Sequence, residues 1–348
     1  MPTFVTGGSG YLGKQLVRRL ANAGGKVHAL VRKTSITKGL EHRNIELFYG
    51  DLEAPESIRA AMAGCQRVYH VGALVARWHP DPARFDAVNV AGSRNLFEAA
   101  LELKVDKLVY TSSVMALGPS GDVPANETQP RPAGFVNDYE RTKYLAEVEI
   151  RRYIDRGLPG LIVSPSLIYG PSLNAPGSLT NQFIKEFLDG TLKALPKAME
   201  RKANGVYIED VVTGHLLAMD RGKVGEKYIL GGENITLGGY LALMNSEFGL
   251  NRNFKEVPLP VVWLIGKFQE WRARVGGPEP KVTAGFARLY ARDWAYSSNK
   301  ARKELGYFPR PLRDGLKITH AWMTGKPLPP PPHSDLQGPS YIPISSLK

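Results

Sequence analysis

Tyr139 and Lys143 stand four residues apart in Tyr-Glu-Arg-Thr-Lys, a spacing that puts a phenol and an ammonium on one face of a helix. A cation beside a phenol favours phenolate, so the pair is a candidate for moving a proton to or from an oxygen near neutral pH. The spacing alone proves little. With 15 tyrosines in the chain, about one such pair is expected by chance, and a second exists at Tyr296 and Lys300. Context separates them: the β-rich run Lys107 to Ser112 ends in Thr111-Ser112-Ser113, where a hydroxyl can donate to a substrate oxygen while Tyr139 handles its proton. Ser113 is the expected donor and Ser112 its rival. Tyr296 lacks such a partner and reads as packing or surface.

A second constellation lies at the start of the chain. The run Pro2 to Thr6 leads into Thr6-Gly7-Gly8-Ser9-Gly10-Tyr11-Leu12-Gly13 and then a helix-like stretch. Gly7 permits a tight turn, Gly10 lets backbone approach a pyrophosphate, and Gly13 allows close packing of helix on sheet. The helix N-terminus would offer N–H groups and a positive dipole end to the phosphates. The next strand ends Val31-Arg32-Lys33, with no acidic residue to take a ribose 2′-hydroxyl. Arg32, helped by Lys33, could instead pair with a 2′-phosphate, which favours NADP over NAD. Asp51 and Leu52, after the third strand, are candidates to contact the adenine.

These residues need a scaffold that gathers strand ends. Pro2 to Thr6, Lys26 to Val31, Ile45 to Tyr49, Arg67 to Val71, Lys107 to Ser112 and Gly160 to Ser164 read as strands. Helical runs alternate with them: Gly13 to Ala23, Pro55 to Ala63, Asn89 to Leu103 and Tyr139 to Arg156. Such alternation implies an α/β fold, a Rossmann-type doubly wound parallel sheet whose crevice lies beyond the carboxyl ends of its strands. The expected dinucleotide domain is 1–168, with 205–220 returning to it. A smaller, mixed C-terminal substrate lobe takes 169–204 and 221–325, including a short strand at Lys227 to Leu230. The proline-rich 326–348 reads as a tail.

Composition narrows the classes. Hydrophobic content of 43% and a mean hydropathy of −0.23 are ordinary for a globular chain, with no run long enough to span a bilayer. One cysteine, Cys65, rules out an intrachain disulfide and suits a reducing compartment. The opening apolar run is too short for a secretory leader, so a cytoplasmic location is expected. The net charge of +12 is spread along the chain without blocks or nucleic-acid motifs, which argues against nucleic acid as partner. The seven histidines show no metal-ligand spacing, so no metal is expected.

Taken together, the Gly7, Gly10 and Gly13 turn, Asp51-Leu52, Thr111-Ser112-Ser113 and Tyr139-x-x-x-Lys143 resemble the extended short-chain dehydrogenase/reductases of the NAD-dependent epimerase/dehydratase superfamily. Pro165-Ser166-Leu167-Ile168-Tyr169-Gly170-Pro171 looks like that family's loop near the nicotinamide, Tyr207 to Val211 like its Val-Asp-Asp-Val segment, and Ser298 to Tyr307 like its C-terminal element. Ala73 to Val75, Trp78 to Pro82, Ala116 to Gly118 and Tyr228 to Asn234 are similar to a branch with farnesol dehydrogenase, dihydroflavonol-reductase-like and hopanoid-associated epimerase-like members. The resemblance implies Ser113 as hydroxyl donor, Tyr139 as acid/base and Lys143 as ribose ligand. It also implies cofactor contacts at Thr6, Gly7, Gly10, Tyr11, Leu12, Gly13, Gly72, Ala73, Pro165 and Ile168. His70-Val71-Gly72-Ala73 departs from the usual small-residue pair after the fourth strand. Relatives with arginine at the Arg32 position include NAD enzymes, so NAD stays open beside NADP. A homodimer is reasonable on the same ground.

The expected activity is interconversion of an alcohol and a carbonyl, with an epimerase that retains its cofactor, or a non-catalytic dinucleotide sensor, as alternatives. Substrate choice should lie in Tyr169 to Thr191 and Leu237 to Tyr290. The apolar run Leu259 to Phe268, followed by Trp271, Arg272 and Arg274, reads first as a core-facing helix. Lining an apolar substrate pocket or lying in a membrane interface are the alternatives, and peripheral membrane contact is kept open. An apolar isoprenoid, steroid-like or phenolic substrate fits better than a nucleotide sugar.

Overall fold

The computed structural model describes residues 1–173 and 178–328, and twelve strands lie among these described residues. They are β1 Thr3–Thr6, β2 Val27–Val31, β3 Ile45–Tyr49, β4 Arg67–His70, β5 Lys107–Thr111, β6 Gly160–Pro165, β7 Leu167–Tyr169, β8 Ala194–Pro196, β9 Lys202–Tyr207, β10 Lys227–Leu230, β11 Glu233–Thr236 and β12 Lys255–Val257. Seven of them form one parallel sheet in the order β10-β6-β5-β4-β1-β2-β3. The order reverses between β1 and β4, which opens the crevice where doubly wound sheets bind ligands.

The inner strands of this sheet bury both faces, whereas the edge strand β3 is partly open, with Glu46 and Tyr49 exposed. Val5, Tyr69, Val109 and Val163 point into one core with the helices Tyr11–Asn22, Ile208–Arg221 and Asn299–Leu305. Their neighbours Phe4, Val68, Leu108 and Ile162 point into the other, with the helices Pro55–Met62, Gly92–Glu102 and Asp138–Asp155. The alternation follows from the two-residue period of a strand, and burial on both sides explains why these runs read as continuously apolar.

The second lobe is woven through the first. After β6 the chain leaves the main sheet at Ser166 and forms β7, which pairs parallel with β9 in a small sheet ordered β11-β9-β7. The helix Ile208–Arg221 then returns to the main sheet. Lys227–Leu230, assigned above with the lobe, is the seventh strand of the main sheet, paired parallel with β6, so the boundary at 221 is less clean than the alternation of elements suggested. Gly231 and Gly232 carry the chain back to β11; a Cβ on Gly232 would sit 2.1 Å from the Gly205 carbonyl oxygen, so only glycine fits this crossing. The lobe has its own core around Tyr169, Phe187, Leu241, Phe248 and Leu316. Most of the proline-rich tail, 329–348, lies outside the described residues. Among the described residues no helix is long and apolar enough to cross a membrane, and no cluster of His, Cys, Asp and Glu could hold a metal ion.

Candidate active site

The turn after β1 is built from close backbone contacts. Gly7 has φ +68°, and a Cβ there would lie 2.7 Å from the Gly72 Cα; one on Gly13 would lie 2.1 Å from the Gly7 carbonyl oxygen. Gly10 caps the helix Tyr11–Asn22 without a side-chain bond, leaving first-turn N–H groups directed out of the helix. This bare cradle at the switch point fits a pyrophosphate.

A buried relay joins this turn to the strand beside it. The Gly72 N–H donates to Thr6 Oγ1 at 3.0 Å, and Thr6 Oγ1 lies 2.8 Å from His70 Nδ1. His70 Nε2 lies 2.9 Å from Ser93 Oγ, which donates to the Asn89 carbonyl at 2.6 Å. Since the Ser93 proton is spent on Asn89, Nε2 must carry the imidazole proton and Nδ1 must accept from Thr6. Burial, then the Lys143 ammonium, push the His70 pKa down to about 3, which keeps the ring neutral. The departure at His70 is thereby accounted for: its ring braces the two strand ends that Gly7 and Gly72 bring together.

Arg32 and Lys33 are exposed beyond β2, and no described carboxylate pairs with their side chains. Ser9 Oγ donates to Ser35 Oγ at 3.0 Å, and Ser35 Oγ accepts from the Arg32 N–H at 3.2 Å, which ties this loop to the glycine turn. Leu52 is buried against Gly72, while Asp51 holds its own turn by accepting from the Glu53 N–H at 3.1 Å. Tyr11 donates to the Gly170 carbonyl at 2.8 Å. Asn181 donates to the same carbonyl at 2.7 Å and to Tyr11 Oη at 3.2 Å. The loop bearing Pro165 and Ile168 is thus fastened to the phosphate turn by Asn181, which sequence reasoning missed. In that loop the Ser166 hydroxyl is buried without a hydrogen-bond partner, an orphan best explained by a ligand group.

The Tyr139 helix starts at Asn137, whose side chain accepts from the Glu140 N–H at 2.8 Å. Glu140 takes Arg131 at 2.7 Å, and Arg131 also donates to the Ala116 carbonyl at 2.8 Å and the Met115 carbonyl at 3.2 Å. Arg131 therefore links the Tyr139 helix to the turn Val114–Leu117 that Ser113 caps. Nothing in the spacing of the motif pointed to it. Asn89, in a π-helical turn Asp86–Ala91, clamps Leu74 through its N–H and carbonyl at 2.7 and 3.1 Å and donates to Thr142 at 3.0 Å. An amide amid a helical run, where Asn is disfavoured, was the available signal.

The Ser113 hydroxyl, which accepts from the Met115 N–H at 3.2 Å, is near enough to Tyr139 to pull its phenol pKa down. The Ser112 hydroxyl instead donates to Glu147 at 2.5 Å; that carboxylate also pairs with Lys227, and both charged groups are 7% exposed. Removing one partner of such a buried pair costs about 3–5 kcal/mol, so Ser112 and Glu147 belong to the join between the helix and β10. Tyr296 is buried and donates to the Gly118 carbonyl at 2.8 Å, while Lys300 pairs with Glu226, so the second Tyr-x-x-x-Lys pair is structural.

One expectation fails. The Tyr139 phenol is raised, not lowered: burial pushes it up to about 12, with the Ser113 hydroxyl pulling it back. The Lys143 ammonium donates to the Thr111 carbonyl at 2.6 Å and lies 4.6 Å over the Tyr110 ring. Its own pKa falls to about 7 through burial, partly offset by Glu147. Shared helical face did not decide the electrostatics, because desolvation outweighs the neighbouring charge. The arrangement offers a protonated phenol and a serine hydroxyl side by side at the carboxyl edge of the sheet, with an amine beneath, and can donate two hydrogen bonds to one oxygen.

The NAD dependent epimerase/dehydratase family matches residues 3–231. The chain is 35% identical to sterol demethylase protein B of Methylococcus capsulatus, covering 92% of this chain and 98% of that protein. It is 29% identical to 4-hydroxy-2-methyl-3-oxo-4-farnesyl-3,4-dihydroquinoline-1-oxide ketoreductase of Stigmatella aurantiaca, over 89% and 92%. The crystal structure of gox2253 superposes with a TM-score of 0.79 at 39% identity, over 93% of this chain and 98% of that one. With the glycine cradle at the switch point and the family match over most of its length, the chain belongs to the NAD dependent epimerase/dehydratase family.

Proposed function

We propose that the protein interconverts an alcohol and a carbonyl on a small apolar substrate, using NADP in preference to NAD. The observation that carries this reading is the Ser113–Tyr139 pair of hydroxyls at the carboxyl edge of the sheet, beside the β1–β4 crevice. A dinucleotide would lie with its pyrophosphate over Gly7, Gly10 and Gly13, near Tyr11, Leu12, Gly72 and Ala73, and its nicotinamide end toward Pro165 and Ile168. When bound, its nicotinamide supplies or accepts the hydride. Ser113 holds the substrate oxygen by donating to it, and Tyr139 delivers the proton in reduction or removes it in oxidation. A phenol with a pKa near 12 is protonated at neutral pH, the form that reduction consumes. Lys143 binds the nicotinamide ribose from the Thr111 end of β5. Arg32, with Lys33 beside it, takes the 2′-phosphate through charge-assisted hydrogen bonds.

The apolar substrate class is supported by two relatives named for a sterol and a farnesyl compound. The test offers the purified protein NADP or NAD with isoprenoid, steroid and phenolic alcohols, and their carbonyl forms with reduced cofactor. Turnover of at least one apolar class is expected, with preference for NADP. Arg32→Ala should lower that preference at least about tenfold, the size of one lost charge-assisted contact, while turnover with NAD stays near that of the parent. Turnover confined to nucleotide sugars would refute the substrate assignment; unchanged preference in Arg32→Ala would refute the role of Arg32.

A further inference from the structure

The helix Leu259–Arg274 does not face the core. Val262 and Gly266 are its buried residues, whereas Trp263, Leu264, Ile265, Phe268 and Trp271 are between 41% and 60% exposed. The core-facing expectation fails because one narrow stripe suffices to seat the helix: a Cβ on Gly266 would lie 2.4 Å from the Ala284 nitrogen, so the backbones touch. The polar residues of this helix divide by sign. Glu270, its one carboxylate, accepts from the Ala284 N–H at 2.7 Å, and Gln269 accepts from the Lys281 and Val282 N–H groups at 2.9 and 3.2 Å. Lys267, Arg272 and Arg274 stay exposed, and no described carboxylate pairs with them. The outer surface therefore combines large apolar side chains with cations and spends its acid inward.

We propose that Leu259–Arg274 docks the protein on an anionic lipid surface. Tryptophan, phenylalanine and leucine flanked by lysine and arginine suit the headgroup boundary of a bilayer, where the rings enter the apolar zone and the cations meet lipid phosphates. Two copies packed through this face would oppose Lys267, Arg272 and Arg274 with no carboxylate to neutralise them, in a chain already at +12. The docking helix is one element removed from the active site. The helix Ala284–Tyr290 supports it from inside, and Arg288 of that helix donates to the Val136 carbonyl at 3.1 Å, next to the Asn137 cap of the Tyr139 helix. An apolar molecule dissolved in a bilayer would thus meet the protein on a flank tied to its chemistry.

The test is co-sedimentation of the full chain with vesicles of phosphatidylglycerol and phosphatidylcholine in equal parts, and with phosphatidylcholine alone. Binding to the mixed vesicles is expected, with a blue shift of tryptophan emission. The combined variant Lys267→Glu, Arg272→Glu and Arg274→Glu should bind them at least about tenfold more weakly, as should the parent in high salt. Phe268→Ser with Trp271→Ser should also lose binding, while circular dichroism and thermal unfolding stay those of the parent because both side chains are exposed. Absence of binding to mixed vesicles, or binding that both variants retain, overturns the proposal. So does a dimeric parent that Phe268→Ser with Trp271→Ser converts to monomer without any vesicle binding, which would assign the face to a second copy. None of these readouts depends on turnover, so the proposal stands or falls apart from the assigned activity.

Discussion

Replacing Tyr139 by phenylalanine is expected to lower kcat by at least about a thousandfold while leaving the dissociation constant of the dinucleotide within a few-fold of the parent value. The substitution removes one oxygen and keeps the ring. It therefore deletes the proton donor and one of the two hydrogen bonds to the substrate oxygen, losses of about a hundredfold or more each when they act in the transition state. The ring's packing and the Asn137-capped helix are untouched, so thermal stability should change little. Steady-state rates, with cofactor affinity from quenching of tryptophan emission, separate the two effects. A variant that keeps more than a tenth of the parent rate would show that the proton travels by another route.

Lys143→Met is expected to combine near-complete loss of turnover with a gain in stability. Burial holds the ammonium pKa near 7, well below the ordinary lysine value, so its charge is a cost to the folded state. Below pH 7 both the folded and unfolded chains carry the proton and that cost is fully present. Between pH 7 and the unfolded value of about 10.4 the unfolded chain binds a proton that the folded one has released, so parent stability rises with pH across this window. Methionine removes a cost on the order of 5 kcal/mol and forfeits the bond to the Thr111 carbonyl, about 1 kcal/mol. The variant should therefore melt at least about 2 °C above the parent at pH 6, with the difference shrinking toward pH 10. Unlike Tyr139→Phe, it should bind the dinucleotide at least about tenfold more weakly. Calorimetry across this range checks the sign; a variant less stable than the parent at pH 6 would mean that the amine is not desolvated as the structure indicates.

The failure of the simple charge argument for Tyr139 and Lys143 marks where sequence ceased to be informative. Spacing put the two groups on one face, and the helix Asp138–Asp155 carries them there, but the local dielectric depends on Tyr110 and Thr111 of β5, which pack against Lys143 from outside its helix. Strands buried on both faces were legible as apolar runs: Lys227–Leu230 has the bounds its composition suggested, although the sheet to which it belongs was not evident, and the partly exposed edge strand Ile45–Tyr49 was legible from its β-forming residues alone. The small sheet was illegible for the opposite reason. Lys202–Tyr207 and Glu233–Thr236 hold glycine, asparagine and charged residues, and their pairing depends on the crossing at Gly232 rather than on any periodicity. Asn89, Arg131 and Asn181 act by bridging segments far apart in the chain, which no local pattern records. Leu259–Arg274 misled because apolarity states that a surface avoids water without stating what covers it.

Net transfer of hydride between a free dinucleotide and a substrate distinguishes the proposed activity from that of an epimerase. The measurement that tests it most directly starts with protein stripped of nucleotide by gel filtration, adds reduced NADP and an apolar ketone, and follows the near-ultraviolet absorbance of the reduced nicotinamide together with the alcohol formed. Absorbance is expected to fall as alcohol appears, one for one and over many turnovers. Nucleotide that stays with the protein through the column, with absorbance unchanged while a sugar carbon is inverted, would contradict it and mark the chain as an epimerase.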